Sequence, residues 1–160
     1  MTPAETTVAA IAGLVEGTPA ALAMSGRANI FEMTQAAEDA VLRPREAGAW
    51  PHTLRAALAA RIATLNGEHE LASHFVADAG DHAELADPAN WGTDARVSTV
   101  LVFMDRVAAD TRNVTAEDIA TLQAAGISDA DIVRLAELNA FLAYQIRVIA
   151  GLRLMKGLSA

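Results

Sequence analysis

Not one cysteine occurs in the 160 residues, so disulfides, cysteine-ligated zinc and thiol nucleophiles are all excluded. Aromatic residues are nearly as scarce at 4%, although hydrophobic residues reach 52%. The core must therefore be assembled from Ala, Leu, Val and Ile, and alanine, the best helix former, favours helices packed at close range. Basic charge is short as well: twelve Lys and Arg against twenty Asp and Glu leave a net charge of −8. Gripping a phosphate backbone or an anionic bilayer takes a basic face, so neither nucleic acid nor membrane is an expected partner. Strict period-two alternation and hairpin-like turns are missing, which points to an all-α chain forming one domain over 1–160. The first apolar stretch lacks a basic leader and carries Glu5 and Glu16, and no apolar run is expected to reach the length of a membrane span. A cytoplasmic location is the expectation, and Asn113-Val114-Thr115, which fits the glycosylation pattern, is read as a chance match.

What is present is a series of helical signals. A first helix is expected from Pro3 to Val15, ending at Gly17. A second stretch breaks near Ser25-Gly26 and resumes through Phe31, Met33, Ala37 and Val41. Arg43-Pro44 stops it, because the residue before proline is pushed out of the α region. After a loop at 46–50, Pro51 suits a first turn, and Leu54, Leu58, Ile62 and Leu65 form an amphipathic stripe. Asn66-Gly67 interrupts that helix, and another runs from Glu68 to Ala79 with Gly80 closing it. A polar loop follows over 81–93, then a helix over 94–109. Thr115 with Asp118 and Ser128 with Asp131 are aspartate versions of the capping box. The last helix, Asp129 to about Met155, is apolar on more than one face, so part of its burial is expected to come from a second subunit.

The stretch NGEHELASHFVADAG at 66–80 resembles the site region of the alkylhydroperoxidase D / carboxymuconolactone decarboxylase superfamily. There a glutamate is followed by a Cys-x-x-Cys pair and then a histidine. The stretches RVSTVLVFMDRVAADTRNVTAEDIATLQAAGISDADIVRLAEL and NAFLAYQIRVIAGL are similar to the family's peroxidase-related subgroup, and the resemblance is clearest over 50–155. It implies an AhpD-like helical bundle that is oligomeric. Anchored on His74, the two cysteine positions fall on Gly67 and Glu70, the residue before the second is His69, and the upstream glutamate is Arg55. Glycine has no side chain, a carboxylate cannot pass through sulfenate and disulfide stages, and a guanidinium stays protonated. Thiol peroxidase activity is therefore not expected, and no cofactor is implied.

Three readings stay open. One is a non-redox or non-catalytic role, such as a subunit or binding module working beside a true enzyme. The second is a non-redox acid–base enzyme acting on a small carboxylate or lactone. In it His74 is the base, Glu70 orients it, Arg55 clamps the carboxylate and His69 is a further candidate. The third is a metal site on Glu70 and His74, which lie four apart and share a helix face. Against the last two stands a structural reading: acidic residues suit a first helical turn, and a Glu–His pair at this spacing stabilises a helix. A buried ion pair accounts for Arg55 in the same way, core or interface hydrogen bonding for Gln145 and Arg147, and Trp50 and Trp91 either line a pocket mouth or cap the core.

Overall fold

The computed structural model of the chain describes residues 2–157. It is all helical, with no strand among the described residues. Eight α-helices follow in order: α1 Thr7–Ala12, α2 Pro19–Ser25, α3 Ala28–Leu42, α4 His52–Leu65, α5 His69–Val76, α6 Ala95–Ala109, α7 Ala116–Ala124 and α8 Asp129–Gly157. Short 3-10 segments cover Pro3–Glu5, Gly80–Ala86 and Thr111–Asn113.

Helix α4 is the axis of the molecule. It packs against α3, α5, α6, α8 and the 3-10 segment Gly80–Ala86, and every residue from Leu54 to Ala63 is buried. The expected one-sided stripe is thus corrected. Ala56, Ala57, Ala59, Ala60 and Ala63 surround the helix with small side chains, so neighbours approach on all sides. Leu65, assigned to the stripe, is only half-buried. The long α8 lies against α1, α3, α4 and α6 and contributes Leu135, Leu138, Leu142 and Ile149 to the core.

Several boundaries differ from the sequence reading. The expected first helix is a 3-10 turn followed by α1, and α1 stops early because Gly13 takes a left-handed φ of 65°. Helix α5 ends at Val76, short of Ala79, and Gly80 opens the next 3-10 segment. The capping signals are where the sequence put them. Thr115 and Asp118 form a reciprocal box on α7, and the Ser128 hydroxyl donates to Asp131 while accepting from its backbone N–H. One further correction concerns α8. By length and composition alone it is long and apolar enough to cross a bilayer, with a mean hydropathy of 1.2 over its best window, 44% of which is buried in this fold.

Candidate functional site

Arg55 sits on the α4 face that looks toward the loop after α3, only 2% exposed. Its Nε donates to the Trp50 carbonyl at 3.0 Å, one terminal nitrogen to Val41 O at 2.8 Å and the other to Ala47 O at 2.9 Å. The expected ion pair with a glutamate is therefore absent, and the donors proposed to clamp a carboxylate are turned to backbone. Burial pushes the Arg55 pKa down, the positive charge of Arg134 pushes the same way, and Glu137 and Asp131 oppose both.

Glu70, His74 and His69 lie elsewhere, and all three are exposed on α5. Glu70 accepts from Arg153 of α8 at 3.1 Å. The same guanidinium donates to Glu68 at 2.6 Å and to the Ile11 carbonyl at 3.3 Å, so it ties α8 to α5 and α1. His74 packs its ring edge-on against its neighbour Phe75. No hydrogen bond joins His74 to Glu70, and neither meets Arg55. Gly67, at the first cysteine position the resemblance implies, has a left-handed φ of 75°. The catalytic constellation expected from sequence does not assemble. Among the described residues no group of three or more His, Asp or Glu side chains is placed to hold a metal.

An open hollow of about 670 Å³ lies beside this region, bordered by Glu68, Ala150, Arg153, Leu154 and Gly157. None of the four expected site residues lines it. A second cleft, about 390 Å³, runs between α6 and α7 over Val102, Phe103 and Leu122 with the Arg106–Asp118 ion pair at its edge. The Thr115 backbone N–H is the largest influence holding the Asp118 carboxyl below its ordinary range. The Ser98, Thr99 and Thr121 hydroxyls beside this cleft donate to backbone carbonyls, so none is poised as a nucleophile.

Sequence reasoning passed over two buried polar centres. In the first, Arg61 is fully buried and grips Asp105 with two nitrogens, at 2.6 and 2.8 Å. It also donates to the carbonyls of Leu85, Asp87, Pro88 and Asn90, and the Trp91 ring centroid lies 5.0 Å from its guanidinium. In the second, Glu38 of α3 is 2% exposed and accepts from the Thr7 hydroxyl, Gln35 and Gln145. Gln35 in turn accepts from the Thr7 backbone N–H. The signal for this centre was a glutamate and a glutamine three apart on the inward face of α3, one turn before Leu42. Gln145, flagged as a polar group that the core must satisfy, is its partner from α8. Its Oε1 is left without one. Trp50 caps the core, donating to Asp131 O, whereas Trp91 is half-exposed. Arg147 lies at the surface.

No family model matches the chain, and no curated protein or solved structure matches it. What the geometry defines is a helical domain whose most buried charged groups hold loops and helices together.

Proposed function

We propose that the chain is a cysteine-less, AhpD-like helical module that works by binding and self-assembly, not by thiol redox or acid–base catalysis. One observation supports this most: Arg55, at the position the resemblance gives to the proton-relay carboxylate, spends its donors on three backbone carbonyls. The histidines that survive from the resembling motif stand in solvent, with no base–orienter hydrogen bond between Glu70 and His74 and no enclosed cavity beside them. A chain without sulfur nucleophiles has no route through sulfenate to disulfide, so peroxide cannot be turned over by that path.

The test pairs two measurements on purified protein. Consumption of an alkyl hydroperoxide with a dithiol reductant is expected to follow the protein-free trace. His74→Ala is expected to change unfolding free energy by less than about 0.5 kcal/mol, as surface substitutions do. Multiple turnovers of hydroperoxide, or hydrolysis of a small lactone that His74→Ala abolishes, would overturn the reading.

A further inference from the structure

Along α8, residues Ala130, Val133, Glu137, Ala140, Tyr144, Arg147, Gly151 and Leu154 recur at alternating intervals of three and four, and every one is exposed. That is the 3.5-residue period of a helix seam that faces another helix. Three of the residues are large and apolar, with Val133 55%, Tyr144 42% and Leu154 71% exposed. The seam runs about 36 Å at the rise of an α-helix.

We infer that this seam docks a second copy of the chain, α8 against α8 in antiparallel array, with the two-fold axis at the level of residue 142. This rests on the self-assembly reading above and names its surface. The axis sets Ala130 against Leu154, Val133 against Gly151, Glu137 against Arg147 and Ala140 against Tyr144, each pair occurring twice. Three of the four pairs place a small residue opposite a large one. The fourth joins opposite charges that have no ion-pair partner among the described residues: Glu137 makes none there, and Arg147 donates only to the Ala143 carbonyl of its own helix.

Two further observations favour a copy of the same chain. A parallel pairing would oppose Glu137 to Glu137 and Arg147 to Arg147, so the charge pattern selects the antiparallel register. Gly151 weakens the helix relative to alanine, yet a Cβ there would meet nothing within 4 Å in the isolated chain. Its absent side chain is explained by a partner that needs the space. Tyr144 is held in advance, since its hydroxyl bonds the Thr34 hydroxyl of α3 at 2.8 Å, which lowers the entropy lost on docking.

Sedimentation equilibrium over micromolar concentrations provides the test. The wild-type chain is expected at twice its 16.7 kDa mass or a multiple of that. Glu137→Arg and Arg147→Glu are each expected to weaken the contact by about a hundredfold, since each charge reversal acts twice across the axis. The double variant, which swaps the charges, is expected to restore association. Gly151→Leu is expected to block it while raising helix stability, which separates lost docking from lost folding. An assembly indifferent to Gly151→Leu and to both single reversals overturns the surface and leaves self-assembly standing. A wild-type monomer at every concentration overturns self-assembly itself.

Discussion

Two loops lean on the central helix, and each is organised by an arginine that α4 sends into it. The loop after α3 folds around Arg55, and the loop after the 3-10 segment Gly80–Ala86 folds around Arg61. Arg61 brings a carboxylate with it: Asp105 of α6 takes a two-pronged grip, and four carbonyls complete the cage. Arg55 has carbonyl dipoles alone. Its loop is supported instead from α8, where the Asp131 carboxylate accepts the Ala49 N–H and the Asp131 carbonyl accepts the Trp50 indole N–H. Gly48 lets the chain pass this close, because a Cβ there would overlap Asp131 Oδ1. The comparison separates two ways of burying a cation. One neutralises it in place, and the other solvates it with backbone while the nearest carboxylates stay a shell away.

The largest effect should come from Arg61. Replacing it with leucine strands a partly buried Asp105 and takes a donor from four carbonyls, of which Asp87 O keeps the Asn90 N–H, so a loss of about 3–5 kcal/mol in unfolding free energy is expected from urea titration. A loss below about 1 kcal/mol would mean the cage holds nothing. Arg55→Leu removes three hydrogen bonds but abandons no direct counter-ion. The expected loss is smaller, about 2–3 kcal/mol, from carbonyls left unsatisfied in the interior. Were Arg55→Leu the costlier of the two, the contrast drawn here would be reversed.

The smallest effect is a pH dependence confined to one loop. Burial alone would raise the Asp131 pKa, but the Ala49 N–H, the Ser128 hydroxyl and Arg134 together hold it below its ordinary 3.8. A folded-state pKa lower than the unfolded one gives stability that is complete above the unfolded value and is lost as pH falls through the folded one. Acidification below about pH 3.8 should therefore release the Ala49 amide to hydrogen exchange, and Asp131→Asn should remove that pH dependence. Exchange at Ala49 that ignores acid would show that Asp131 does not secure the loop.

The parts of this fold written in local chemistry were legible. Pro51 and the two Asp capping boxes mark helix ends because each satisfies or frees backbone groups within a few residues. The role of α4 was not. Its alanines are neutral in any periodicity, and no spacing shows what its arginines meet, because the carbonyls that bury them come from segments 5 to 29 residues away in the chain. The expected site residues stay apart for the same reason in reverse. Glu70 and His74 share a helix face, as their spacing requires, but no spacing reveals which face a short helix turns to water. Glu38 was hidden because an acidic residue next to Asp39 on a helix reads as surface until its partners on α1 and α8 are in place.

The left-handed turn at Gly67 resists any side chain at that position. Space is not the obstacle, since a Cβ would meet nothing within 4 Å. The obstacle is φ = 75°, a conformation that disfavours any side chain by about 1–2 kcal/mol. A cysteine placed at 67 would strain the turn before its thiol could act, so the backbone itself resists the introduction of thiol chemistry at this position.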